Sequence, residues 1–499
     1  MPSYRVNALA NFLGQLLAGL ITIAVIPFYL GLMGPAGYGV VALLLSIQAS
    51  LTLLDLGLSV ATNRELAHAA VPGSNRRPAD FFASIEPVYA VMGAGTGALL
   101  ALGAPLAGLI ADDVPAGAGP AFRWFGLLFA LRWPVVFYVS VLRGLERQVA
   151  ANLITCGHTA ARTAGTLLVL ALVAPTPLAF VLAQAGCSLI EVVHFRWTAR
   201  RAIRQLQPEA GRFAWDHVRK VWRFSLTATA TSLAATLVKQ SDKFFLASFG
   251  GVHALGYYYA ASEASRAIQL CATPLTNAAY PRFTALHAQA KLAELKAFFL
   301  RISHLTSFLV AGAVGALAGL AGNVLWQWSH DDAFVAEGAL PFTLLVFGYG
   351  LNAMMQLPYS LQLATGHNRI NMQFLFGYVP VGLPISYFVI RHSGATGAAA
   401  MWLVFNLAYV ALVPPLMDRQ VGFRFARSWL AETAKPFALA LAGWWGLAAS
   451  LSPSSSLLPA GLAAAAFVAL YAGVAYHWFL DRSLLRHPRD WLRTVREGA

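Results

Sequence analysis

Three arginines, Arg132, Arg162 and Arg266, fall near the middle of long apolar runs, where a charge facing hydrocarbon costs at least about 2.5 kcal/mol. A guanidinium stays charged and offers charge-assisted hydrogen bonds to phosphate or carboxylate oxygens. Arg132 and Arg162 have no acid nearby on their own runs. Lining a polar cavity that prefers anions is one reading of them; the other is structural, with Arg132 reaching a backbone carbonyl near Pro134. Glu263 and Arg266 are three residues apart, as are Lys239 and Asp242, so each pair shares a helical face and either serves a ligand or neutralises itself. Asp55 is a further acid, in the inner half of the second run.

The chain carries no Gly-rich loop ending in Gly-Lys-Ser/Thr, no His-Glu-x-x-His and no Gly-x-Ser-x-Gly, so neither nucleotide-driven nor catalytic chemistry is expected. Cys156, Cys187 and Cys271 are dispersed in apolar segments, without the paired spacing of a disulfide or metal site. His194, His253, His304 and His367 lie near the ends of apolar runs and read as interfacial polar residues. Pro27, Pro134, Pro274 and Pro358 lie in or near predicted crossings. There a missing backbone N–H can bend a helix, either as fixed shape or as a gating point.

The elements that hold these residues follow from composition. Apolar residues make up 58% of the 499 and charged ones 11%, too few charges to clothe so large a core in water. The fold class expected is all-α, a polytopic membrane protein. Fourteen runs are long enough to cross about 30 Å of hydrocarbon: residues 9–32, 39–61, 81–110, 121–142, 149–173, 178–196, 220–247, 255–279, 298–325, 339–364, 371–390, 395–417, 434–451 and 458–480. Formal net charge is +14, and alternate connections hold the excess. They contain Arg64, Arg76 and Arg77; Arg143 and Arg147; Arg196 to Arg223; Arg282, Lys291 and Lys296; Arg369; Arg419 to Lys435; and Arg482 to Arg496. The intervening ones hold Asp112 and Asp113, or Asp331, Asp332 and Glu337, with Arg391 the exception. An even number of crossings with both termini inside reproduces this alternation, so the charge reads as topology and contact with anionic lipids rather than nucleic acid. The basic connection from Arg196 to Arg223, which carries Trp197, Phe213, Trp215 and Trp222, is expected to form an interfacial helix.

A faint internal echo links Met33-Gly34-Pro35-Ala36-Gly37-Tyr38-Gly39 with Gly250-Gly251-Val252-His253-Ala254-Leu255-Gly256-Tyr257. Six crossings separate them, so the repeats would lie parallel, as two six-helix bundles. The expected organisation is an N-terminal lobe at 1–200, a basic connection at 201–219, a second lobe at 220–418, two additional crossings within 434–480 and a basic tail at 481–499.

Pro27-Phe28-Tyr29-Leu30-Gly31, Gly37-Tyr38-Gly39, Leu53-Leu54-Asp55-Leu56-Gly57-Leu58 and Asn63-Arg64-Glu65-Leu66-Ala67 resemble the opening of the polysaccharide flippases. These are the O-antigen or lipid-linked oligosaccharide translocases of the multidrug/oligosaccharidyl-lipid/polysaccharide exporter (MOP) superfamily. Asp242-Lys243-Phe244-Phe245-Leu246, Leu255-Gly256-Tyr257-Tyr258, Pro281-Arg282-Phe283 and Gly394-Ala395-Thr396-Gly397-Ala398-Ala399 extend the resemblance to roughly residues 5–415. It implies a bacterial cytoplasmic (inner) membrane protein with two lobes about a cationic cavity. By alternating access such a protein moves an undecaprenyl-diphosphate-linked oligosaccharide outward for a polysaccharide polymerase and export machinery. Arg132, Arg162, Arg266 and Lys239 would then meet the diphosphate. Asp55, Asp242 or Glu263 would carry H+ or Na+ or be structural pairs, and no cofactor is expected. The lipid II branch uses basic residues in helices 1 and 8; here helix 1 offers only Asn7, Asn11 and Gln15 after Arg5, which argues against lipid II as substrate. Two other functions compete. Ion-coupled export of small molecules would favour acids at cavity depth, and a membrane glycosyltransferase or polymerase would need acids on a substantial outer loop.

Overall fold

Hydrocarbon offers no partner to backbone N–H and C=O groups, and the chain satisfies them inside helices. In the computed structural model residues 4–69, 71, 77–105, 113, 115, 117–367, 369–448, 466, 469–471 and 473 are described. The predicted fourteenth crossing, the tail at 481–499, Arg76 and Asp112 lie wholly or mainly outside them. The helices are α1 (Tyr4–Leu51), α2 (Leu58–Ala69), α3 (Pro78–Gly103), α4 (Gly119–Gly144), α5 (Gln148–Leu172), α6 (Pro177–Leu206), α7 (Trp215–Arg266), α8 (Gln269–Ala288), α9 (Leu292–Gly319), α10 (Ala321–Ser329), α11 (Asp332–Thr365), α12 (Arg369–Met417) and α13 (Ala426–Ala448). Among the described residues, seven of these stretches are long and apolar enough to cross a membrane. Their outer faces suit lipid: Leu99, Leu102 and Ile190 are 71%, 78% and 66% exposed. The protein is therefore an all-α, polytopic membrane protein.

Helices α1, α7 and α12, with 48, 52 and 49 residues, are each far longer than one crossing. Each divides at a glycine in a conformation that L side chains rarely adopt: Gly34 (φ 69°, ψ 171°), Gly251 (φ 76°, ψ 175°) and Gly394 (φ 52°, ψ −133°). Gly34 and Gly251 share one geometry, which gives the internal echo a backbone basis and corrects its register. Gly34 falls on Gly251, Pro35 on Val252 and Gly39 on Gly256, not Gly37 on Gly256. The contact between the two segments is reciprocal in that register. A Cβ on Gly39 would collide with the carbonyl of Val252, and one on Gly256 with the carbonyl of Pro35. Only glycine lets the backbones approach so closely. Asp113 secures the second turn by accepting from the backbone N–H of Val252 at 2.7 Å.

The second predicted crossing is broken where a continuous helix was expected. Residues Thr52–Asp55 form a 3-10 turn, Leu56 and Gly57 take positive φ, and α2 restarts at Leu58. Asp55 supplies the reason. Its Oδ2 accepts from the N–H and hydroxyl of Ser59 (3.2 and 2.6 Å), and its Oδ1 from Tyr89 Oη of α3 (2.6 Å), so a side chain replaces the lost backbone ladder. Within the basic connection, helix α6 continues to Leu206 and α7 begins at Trp215, leaving a short non-helical link at 207–214. It docks on the start of α3, where Ala79 N–H donates to Gln207 Oε1 (3.1 Å), Arg212 N–H to Asp80 Oδ1 (2.7 Å) and Ala214 N–H to Ser84 Oγ (3.0 Å).

The chain forms two compact units, Met1–Tyr259 and Ala260–Ala499. In the first, α2, α3, α4 and α6 close over Leu66, Phe82, Tyr89, Trp133, Phe137 and Phe195. In the second, α13 packs against α9, where Trp444 lies over Gly315 and Gly319 and Tyr471 stacks on Phe308 with centroids 4.8 Å apart.

Candidate functional site

Helices α5 and α6 of the first unit share a polar seam that is buried at Arg162 and Glu191 and exposed at His194. On α5, His158, Arg162 and Thr166 recur at helical spacing on one face, with Arg147 at the helix's N-cap; on α6, Gln184, Glu191, His194 and Gln205 do the same. They meet as a ladder: Arg147 with Gln205, His158 Nε2 with His194 Nδ1 at 3.0 Å, Arg162 Nη1 with Glu191 Oε2 at 2.6 Å, and Gln184 Nε2 donating to Thr166 Oγ1 at 3.2 Å. Arg162 and Glu191 retain only 12% and 8% of their side-chain exposure, so each charge depends on the other.

Arg132 of α4 lies close enough to Arg162 and Glu191 for their charges to act on it. Among the described residues it forms neither an ion pair nor a hydrogen bond, and the carbonyl contact near Pro134 that its alternative reading required is not made. The local sum is two guanidiniums against one carboxylate. Tyr29 of α1, beside Thr163 and Thr166, places a hydroxyl at the same seam. This seam can therefore attract an anion, with Arg132 as the available donor and Arg162 already engaged.

The other predicted residues are distributed differently. Asp242 is held by Lys243 Nζ at 3.0 Å and by Tyr258 Oη at 2.6 Å, while the Lys239 carbonyl accepts from Lys243 Nζ at 3.1 Å. Lys243, a neighbour that the i,i+3 spacing does not point to, is thus a cation that answers Asp242. In the second unit Glu263 and Arg266 pair at 3.2 Å as their spacing anticipates, with Arg266 54% exposed and Glu263 buried. Pro27, Pro134, Pro274 and Pro358 lie inside α1, α4, α8 and α11, and the residues with non-helical angles within α1, α7 and α12 are glycines.

Several polar groups escaped the sequence reading. Glu191 was hidden within an apolar run, although it stands three residues before His194. Glu86 of α3 accepts from Tyr138 Oη (2.9 Å), Arg196 Nε (2.9 Å) and Arg200 Nη2 (2.8 Å), a gathering of four helical positions from three elements that no local spacing reveals. His304 lies 3.1 Å from Glu432 of α13. In the second unit an uncharged chain joins α8, α11 and α12: Gln269 Nε2 donates to Asn352 Oδ1 (3.0 Å), and Asn352 Nδ2 to Asn406 Oδ1 (2.9 Å). Thr273 Oγ1 also donates to Gln356 Oε1 at 3.2 Å.

Known proteins with the same architecture give this geometry a context. The family described as "Polysaccharide biosynthesis protein" matches residues 5–287. The putative O-antigen transporter of Shigella flexneri is 21% identical over 409 residues, covering 80% of this chain and 94% of that protein. Among solved structures, the lipid II flippase MurJ in its inward closed conformation superposes with a TM-score of 0.73 at 10% identity, covering 95% of this chain and 99% of that one. An inward-facing multidrug resistance MATE transporter of the MOP superfamily gives 0.57 at 12% identity, covering 84% and 96%.

Proposed function

Since the chain belongs to the polysaccharide biosynthesis protein family, we propose that it is a flippase. It carries a polyprenyl-diphosphate-linked oligosaccharide from the inner to the outer leaflet of the bacterial cytoplasmic membrane by alternating access. A diphosphate and its sugars cannot enter hydrocarbon bare, because their charges and hydroxyls would lose their water partners. The observation that carries the reading is Arg132: a half-buried guanidinium without a carboxylate partner, beside the Arg162–Glu191 pair. Arg132 would take the diphosphate oxygens first and Arg162 would share them as its hold on Glu191 loosens. Arg266 and Lys239 are further diphosphate contacts in this reading, and the polyprenyl tail stays in lipid.

In this reading α1 to α6 supply six crossings, with α1 divided at Gly34 and its second part continued by α2. Helices α7 to α12 supply six more, and α13 with residues 458–480 the last two. Both termini and the basic connections then face the cytoplasm, in contact with anionic lipid. Its product would be consumed by a polysaccharide polymerase and export machinery. Coupling to H+ or Na+ is part of the proposal, although Asp55, Asp242 and Glu263 each already serve a structural bond.

Two competing functions fit the side chains less well. A glycosyltransferase needs acids free to handle sugar chemistry, whereas Asp113 and Asp331 accept from backbone N–H groups that begin helical segments. A cation exporter needs acids at depth without cationic partners, and the α5–α6 seam has an excess of arginine. Proteoliposomes carrying fluorescent undecaprenyl-diphosphate oligosaccharide on one leaflet test the assignment. Protein-dependent appearance of the sugar on the other leaflet is expected. Gradient-driven efflux of a small cation without lipid translocation would replace the flippase with the exporter.

A further inference from the structure

The function just proposed leaves two histidines unused, and on that reading they acquire a purpose. His158 Nε2 and His194 Nδ1 are 3.0 Å apart, and one must donate to the other. With both rings protonated, two N–H groups would point at each other, so the pair has room for one extra proton between its rings and a second only against repulsion. Histidine changes charge near neutral pH, unlike any other side chain in the seam. His194 follows Glu191 by three residues on α6, and His158 precedes Arg162 by four on α5, so the histidine rung lies one helical turn from the ion-pair rung.

Helices α5 and α6 present Arg162 and Glu191 to His158, besides the histidines themselves. Helix α4 adds Arg132, which acts on Arg162 and Glu191. Helix α1 has no titratable side chain between Arg5 and Tyr29. Helix α3 offers Glu86, already bonded to Arg196, Arg200 and Tyr138. Glu191 is consequently the carboxylate that a cationic histidine pair attracts, and Arg162 is its present partner.

We propose that the His158–His194 pair is a proton-binding site that controls how tightly Arg162 is held. A proton on the pair gives Glu191 a second cation to answer, weakens its claim on Arg162, and releases that guanidinium to join Arg132 on a diphosphate. Loss of the proton restores the Arg162–Glu191 bond and returns the anion. Proton and diphosphate binding are therefore linked, and linkage is reciprocal: a proton that favours the diphosphate is itself favoured by it.

The test is the pH profile of translocation in proteoliposomes, using fluorescent undecaprenyl-diphosphate oligosaccharide with equal pH on both sides. Wild type is expected to slow at least about fivefold from about pH 6 to about pH 8, through the range where histidine titrates. His158→Gln and His194→Gln should each change by less than about twofold across that range. His194 is exposed, so its variant keeps the test available if the half-buried His158 proves necessary for folding. A wild-type protein that translocates with a flat profile, or variants that keep its slope, would overturn the proton site while leaving the flippase intact. A wild type that translocates no labelled lipid at any pH would instead overturn the flippase, on which the proton site rests.

Discussion

The α5–α6 seam of the first unit and the α8–α11–α12 seam of the second both place polar side chains among apolar helices. The first does so with ions: Arg162 against Glu191, with Arg132 in excess. The second does so with amides, Gln269 to Asn352 to Asn406, which donate and accept in sequence and carry no charge. An amide chain can satisfy itself without leaving a net field, so its simplest role is to fix helix positions. An ion pair with an additional arginine leaves positive potential behind, and such a field can hold an anionic ligand. The chemistry of the polar groups, more than their number, separates a structural seam from one that can recognise a substrate.

The largest expected effect would break the ionic side of this contrast. Glu191→Ala leaves the buried Arg162 without its partner, and removal of one member of a buried pair costs about 3–5 kcal/mol. Thermal unfolding in detergent should show that loss; an unchanged midpoint would mean Arg162 is already solvated and the seam is not dry. Arg132→Ala should separate function from stability. Loss of one charge-assisted contact to a diphosphate, about 1.5–3 kcal/mol, predicts roughly 10- to 100-fold weaker binding or slower translocation, with stability retained. If Arg132→Ala instead lowers the unfolding midpoint while the folded fraction transports normally, Arg132 is structural and the contrast fails.

Asn406→Ala tests the amide side. It strands the Asn352 amide and should cost about 1–3 kcal/mol, with lipid translocation by the folded fraction little changed. A selective loss of translocation there would give the second seam a substrate role and erase the distinction. The smallest effect is expected at Asp55→Ala, which removes the bonds that begin α2, about 1 kcal/mol by analogy with helix caps. Tyr89→Phe should reproduce part of that loss in the same unfolding measurement.

Much of this protein could be read from local pattern. Apolar runs of crossing length require helices wherever lipid is the solvent, and alternating basic connections give an orientation before any contact is known. The family signature was equally local, as was the i,i+3 pairing of Glu263 with Arg266. The repeat was visible only approximately, since Gly-Tyr letters suggested one register and the backbone angles at Gly34 and Gly251 specify another. Asp55 was visible as an acid, but its role in ending one helix and starting the next needed Ser59 and Tyr89 in place.

Sequence by itself determined the solvent and the helical class, because these depend on runs of neighbouring residues and on the cost of leaving a backbone group in hydrocarbon. Tertiary structure decided which charges remain available. Arg162 and Arg132 look alike along the chain, yet α6 brings Glu191 to the first, while no described carboxylate pairs with the second. Ion pairing acts over a few ångströms in space, and two residues 29 positions apart reach 2.6 Å only once their helices have packed.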